Sequence, residues 1–71
     1  MSENEILSTY QKYYNIRANR GMSDTEVSNS VKVSRNTLVN WKNGRTMPSV
    51  KTLYKIANFF GVAVTDIIGI S

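Results

Sequence analysis

SDTEVSNSVKVSRNTLVNWKNG, residues 23–44, decides the fold. Ser23 followed three residues on by Glu26 reads as a capping box, in which the serine oxygen takes an orphan amide of the first turn and the glutamate reaches back to the cap. The spacing predicts a short helix that carries Val27 and Val31 and ends near Lys32 and Val33. Ser34 caps again, Leu38 and Trp41 lay an apolar stripe on the inner face of the next helix, and Gly44 suits the left-handed position that closes it.

The pattern continues in both directions. Upstream, Ser2 and Glu5 form a second capping box, and Ile6, Tyr10, Tyr13 and Ile16, with Leu7 and Tyr14 beside them, recur at helical spacing. Gly21 supplies the stop after Arg20, so a first helix is expected over about residues 3–19. Downstream, residues 45–48 read as a loop. Ser49 then caps a helix whose Val50, Leu53, Ala57 and Phe60 fall on one face before Gly61 ends it. Val62, Val64, Ile67 and Ile68 suit a final helical turn around Asp66, and no alternating run of strand length appears. The fold class expected is all-α: a compact five-helix bundle in one domain, residues 1–71, with a helix-turn-helix at about 23–43.

Composition removes most chemistry. The 71 residues include no cysteine and no histidine, so neither a disulfide framework nor an imidazole for metal binding or base chemistry exists. The acids Glu3, Glu5, Asp24, Glu26 and Asp66 are scattered, and no glycine cluster suggests a phosphate cradle. Neither catalysis nor a metal, cofactor or small-molecule ligand is expected. No apolar run reaches membrane-spanning length and the start MSENEI is polar and acidic, unlike a secretory signal, so the expected location is the cytoplasm. Such a short chain buries only roughly 60% of the surface its unfolded form exposes, so modest stability is expected.

The net charge of +4 says little alone, but its distribution says more. Between Val27 and Thr65 stand six basic residues (Lys32, Arg35, Lys42, Arg45, Lys51 and Lys55) and no acidic one. Within the 35–43 helix, Asn36, Asn40 and Asn43 share a face different from that of Leu38 and Trp41. Arg35 and Thr37 flank its first turn and Lys42 lies toward its end. Asparagine costs roughly half a kcal/mol per site in a helix relative to strong formers, so three of them suggest a compensating use. An amide suits the N6 and N7 edge of adenine, and a guanidinium forks onto O6 and N7 of guanine. The alternative is an ordinary solvated face. Two short helices joined by a tight turn, the second exposing such groups, are the helix-turn-helix plan, whose second helix enters the major groove.

With these residues in view, GMSDTEVSNSVKVSRNTLVNWKNGRTMPSVKTLYKIANFFGVAVTDIIG, residues 21–69, resembles the helix-turn-helix domain of the Cro and phage-repressor family, the XRE-type regulators. The likeness covers about residues 10–69. It is carried by Gly21-Met22-Ser23, Val33-Ser34-Arg35, Trp41 followed by Asn43-Gly44-Arg45, Pro48-Ser49 and Phe60-Gly61-Val62. It implies a lambda-repressor-like bundle that binds double-stranded operator DNA, usually as a dimer on an inverted repeat. Position by position it implies that Arg35, Asn36, Thr37 and Asn40 touch bases. Ser23, Thr25, Ser34, Asn43 and Arg45 match phosphate-holding positions, with Lys42 adding charge. Gly44 would let the backbone approach the DNA, and Leu38 and Trp41 would be core.

Three departures from the family pattern stand out. Asp24 replaces a common glutamine at the start of the second helix, where a carboxylate facing a phosphate is unfavourable unless it turns away. Lys42 replaces the glutamate that often pairs with an arginine at position 17. Lys32 replaces the turn glycine, at a cost of about 1–2 kcal/mol if it adopts a positive φ.

The apolar end, GVAVTDIIGIS, suggests a symmetric contact made by Phe59, Ile67, Ile68 and Ile70, the alternative being that Ile67 and Ile68 close the core. A chain ending at Ser71 is expected to be a small Cro-like or stand-alone regulator, unless it is a piece of a longer repressor. The function expected is a sequence-specific transcription regulator, most simply a repressor from a phage or mobile element. A protein-interaction adaptor or antitoxin-like module on the same fold is the alternative.

Overall fold

In the computed structural model, residues 2–69 are described. Five helices follow one another: α1 (Glu3–Asn19), α2 (Asp24–Val31), α3 (Arg35–Lys42), α4 (Val50–Phe60) and α5 (Thr65–Ile68). Among the described residues there is no strand, so the all-α expectation holds. Both capping boxes form. Ser2 Oγ accepts from the Glu5 amide at 3.3 Å, and Ser23 Oγ accepts from the Glu26 amide at 3.2 Å. The backbone N–H and hydroxyl of Ser2 both donate to Glu5, which holds its carboxyl below the usual value.

α1 packs on α3 and α5, and α2 packs on α3 and α4, so α3 sits between the first two helices. The centre is aromatic. The Tyr13 ring stacks on Trp41 with centroids 4.8 Å apart, and Tyr10 meets the same indole edge-on at 5.5 Å. Leu38, Ile56, Val27 and Ile67 fill the space around them and are fully buried. Ile6, Tyr10 and Tyr13 form the buried stripe of α1 as expected, whereas Leu7 and Tyr14 lie on its outer edge. The Arg17 guanidinium sits 4.6 Å above the Tyr14 ring.

Two expectations need correction. Val50 is 63% exposed, and Ile56 takes its place in the buried stripe of α4 with Leu53, Ala57 and Phe60. Val50 opens the first turn of α4, where its Cβ tilts back toward the preceding loop and no element covers it. There it lines a groove with Ile6, Met47, Pro48, Leu53 and Ile68. Ile67 is fully buried within the chain, so it closes the core and presents no surface to a partner. Ile68 is partly buried, and Ile70 lies outside the described residues.

Lys32 does adopt the left-handed geometry, with φ 62° and ψ 48°. For a residue with a Cβ this costs about 1–2 kcal/mol. The turn is tied on both sides: the Lys32 and Val33 amides both donate to the Ser28 carbonyl, and Ser28 Oγ donates to the Val33 carbonyl at 2.5 Å. Val33 is buried just beyond it, anchoring the chain as it enters α3.

A polar cluster joins α1 to the start of α2. Tyr10 and Tyr13 donate their hydroxyls to the two oxygens of Asp24, at 2.8 and 2.6 Å. Burial, then the hydrogen bond to Asp24, pushes both phenols above their ordinary value near 10. Above about pH 10 the unfolded chain therefore releases protons that the folded chain keeps. Stability should be fully present below that pH and fall as pH rises, by up to about 1.4 kcal/mol per pH unit for each of the two tyrosines. Urea unfolding across the alkaline range checks this, and Tyr13→Phe should roughly halve the slope. A pH-independent midpoint there would show that the hydroxyls are not held neutral.

Candidate nucleic-acid interface

α3 begins at Ser34, whose Oγ accepts from the Asn36 amide at 3.1 Å and keeps its own proton free to donate outward. The helix ends through Asn43 and Gly44, the latter at φ 72°, with the Arg45 amide returning to the Asn40 carbonyl at 2.8 Å. Its inner side is held in two ways. Leu38 and Trp41 are buried among the aromatics, and Trp41 Nε1 donates to Thr9 Oγ1 of α1 at 2.9 Å, whose hydroxyl donates on to the Ile6 carbonyl at 2.7 Å. This pair of bonds leaves the only buried donor of the indole satisfied and fixes both the roll and the height of α3 against α1.

The outward side has the opposite character. Arg35, Asn36, Lys42 and Asn43 are exposed, and Thr37 and Asn40 are half-buried. With 100° per residue, Asn36, Asn40 and Asn43 lie on the side away from the Leu38–Trp41 pair, while Arg35 and Lys42, seven residues apart, share one flank. No carboxylate occurs on α3. Ser23 and Thr25 at the start of α2, and Ser34 and Arg45 at the two ends of α3, are also exposed.

The Asp24 carboxylate is turned inward. Arg17 Nε lies 3.0 Å from Asp24 Oδ1, close enough for an ion pair though off-angle for a hydrogen bond, and Arg17 Nη1 donates to the Met22 carbonyl at 2.9 Å. The expected conflict between Asp24 and a phosphate is thereby removed, and the cation at position 17 has its counterion on α2 rather than on α3.

A helix-turn-helix family model matches residues 14–67, a span that contains α2, the turn at Lys32 and α3. The chain belongs to this helix-turn-helix family. It is similar to an uncharacterized HTH-type transcriptional regulator of Methanocaldococcus jannaschii, 39% identical over 56 residues that make up 79% of this chain and 82% of that protein. An uncharacterized HTH-type transcriptional regulator of Archaeoglobus fulgidus is 37% identical over 51 residues, 72% of this chain and 73% of the relative. The cryptic phage CTXphi transcriptional repressor RstR of Vibrio cholerae is 30% identical over 57 residues, 80% of this chain, but the match spans only 51% of that repressor. No solved structure matches with comparable significance.

Within this helix-turn-helix domain Gly44 has a packing task that its sequence context does not show. It is buried, and a Cβ there would stand 2.8 Å from Glu3 Cγ and 3.1 Å from Leu7 Cγ. Its missing side chain lets α1 close over the end of α3. The residues proposed for a dimer contact also divide. Phe59 lies nine residues after Val50 on α4, hence on its opposite flank, and borders a depression with Val31 and Lys55. Ile68 borders the groove beside Val50, Met47 and Pro48. Among the described residues no helix is long and apolar enough to cross a membrane.

Proposed function

We propose that this DNA-binding transcription regulator recognises a specific operator by laying α3 in the major groove, with Arg35, Asn36, Thr37 and Asn40 toward base edges. Ser23, Thr25, Ser34, Lys42, Asn43 and Arg45 hold the phosphates on either side. The observation that carries this reading is the two-sidedness of α3: amides and cations without a carboxylate outside, an indole hydrogen-bonded to α1 inside. Rigid placement matters because a bidentate contact is worth about 1–3 kcal/mol only when its geometry is met.

The proposed regulator binds as a homodimer, since two half-sites about one helical turn apart, roughly 34 Å, multiply the discrimination of one. With molecular extents of 28 × 25 × 21 Å, two copies side by side are of the size that such a separation requires. The groove of Met47, Pro48, Val50 and Ile68 adjoins the loop that follows α3 and suits the contact better than Phe59 does.

Selection from a pool of random duplex DNA, at two salt concentrations, tests the reading. An inverted repeat should emerge, bound by two chains, with affinity that falls steeply with salt. Arg35→Ala and Asn40→Ala should each weaken binding to that operator by about 10- to 100-fold and relax preference at one position. Lys42→Ala should weaken all sequences alike and lower the salt slope by about one. Sequence-blind retention that is indifferent to Arg35 and Asn40 would overturn it.

A further inference from the structure

α3 contains three large apolar residues, and only two of them are core. Leu38 and Trp41 are buried, but Val39 is 45% exposed. It stands about 130° around the helix from the direction in which that pair points. It lies one turn after Asn36, one residue before Asn40 and one turn before Asn43, so its two methyl groups border the asparagine face on the flank shared by Arg35 and Lys42. A β-branched residue in an exposed mid-helix position is a poor helix former, and the described residues leave nearly half of it open. Scattered exposed apolar side chains are ordinary on a protein surface. Val39 differs in standing between the amides that face the groove and the cations Arg35 and Lys42.

We propose that Val39 is a specificity-determining residue that reads the C5-methyl group of a thymine in each half-site. The inference rests on the reading of α3 as the groove helix. Its physical basis is side-chain reach. Asparagine is short, so Asn36 and Asn40 make hydrogen bonds of about 2.9 Å to bases only if α3 lies deep in the groove. Valine ends one bond nearer the helix than asparagine does, so where it faces a base beside those amides its methyl groups stand about 4 Å away, the distance of apolar contact. A base on the Arg35–Lys42 side of the reading face is the one that Val39 meets at that depth. A thymine methyl gains from the contact, whereas the N4 amino group of cytosine or the N6 amino group of adenine would lose water and receive no acceptor. Val39 thus selects in both directions, by attraction and by rejection.

The experiment replaces each thymine of the selected operator in turn, in both half-sites, by deoxyuridine, which removes the methyl and leaves base pairing intact. The wild-type protein should lose about fourfold in affinity per half-site at one position, the fold-change carried by burying one methyl-sized group. Val39→Ala should be indifferent at that position while keeping the sensitivity of the wild type elsewhere. Val39→Thr, which keeps the shape but exchanges a methyl for a hydroxyl, should shift the preference there away from thymine. Circular dichroism confirms that both variants fold, as exposed substitutions should. A flat deoxyuridine scan, a loss that persists unchanged in Val39→Ala, or a selected half-site without thymine would each overturn the role of Val39, even with Arg35 and Asn40 confirmed as readers. Failure to select any operator would instead remove the groove-helix reading on which the proposal stands.

Discussion

Trp41→Ala should abolish cooperative folding near body temperature. Truncating a buried tryptophan costs about 3–5 kcal/mol, and a domain of this length holds only about 4–11 kcal/mol in total. Trp41 has no exposed surface, stacks on Tyr13 and meets Tyr10, so its loss opens a cavity where α1 and α3 are joined. Thr9→Val separates packing from hydrogen bonding: it retains the shape but leaves the indole N–H buried without an acceptor, for about 1–3 kcal/mol. The order expected in urea titrations followed by circular dichroism is wild type, then Thr9→Val, then Trp41→Ala. DNA binding by Thr9→Val should fall beyond its folded fraction, because α3 loses the bond that sets its roll. A Trp41→Ala protein that remained folded and lost only DNA binding would instead make the indole a base-stacking group.

Local signals and long-range ones differ in how far they can be read from the chain. The helix ends at Ser2, Ser23, Ser34 and Ser49 are legible because a cap is chemistry within four residues, and the observed helices begin one residue after each. The inward face of α3 is legible for the same reason, since Leu38 and Trp41 differ so sharply from their neighbours. Val50 and Ile56 are less so: periodicity shows that α4 has an apolar side, but which turn of it finds a partner depends on where α2 and the other helices lie. Val39 is hidden because an apolar residue within a helix reads by default as core. Gly44 is legible as a helix stop but not as a packing site, which needs Glu3 and Leu7 of another helix beside it. Asp24 is the least legible. Its partners Tyr10, Tyr13 and Arg17 all lie on α1, and only the tertiary fold brings them to one carboxylate.

That carboxylate governs the second large effect. Asp24→Ala should destabilise the domain by about 2–3 kcal/mol. Removing one partner of a fully buried ion pair costs about 3–5 kcal/mol, and the figure is reduced here because the Arg17 and Asp24 side chains retain 13% and 29% of their exposure. Three donors would be orphaned together: the Tyr10 and Tyr13 hydroxyls and the Arg17 guanidinium. Arg17→Met should cost less, about 1–2 kcal/mol, since Asp24 keeps both tyrosine donors and the loss is confined to the ion pair and the bond to the Met22 carbonyl. The coupling is checked by a double-mutant cycle. Tyr13→Phe should be clearly destabilising in the wild-type background and nearly neutral once Asp24 is alanine, because the hydroxyl then has no anion to serve. Equal penalties in the two backgrounds would make the hydrogen bond at 2.6 Å incidental to stability. The consequence for DNA follows from position. Asp24 is the first residue of α2, so the cluster that neutralises its charge also fixes the turn that carries Ser23 and Thr25, the residues proposed to hold a phosphate. Asp24→Ala removes a negative charge from the proposed phosphate side, which by electrostatics alone should strengthen DNA binding. If the folded fraction of the variant binds more weakly than wild type, the placement of α2 outweighs that charge.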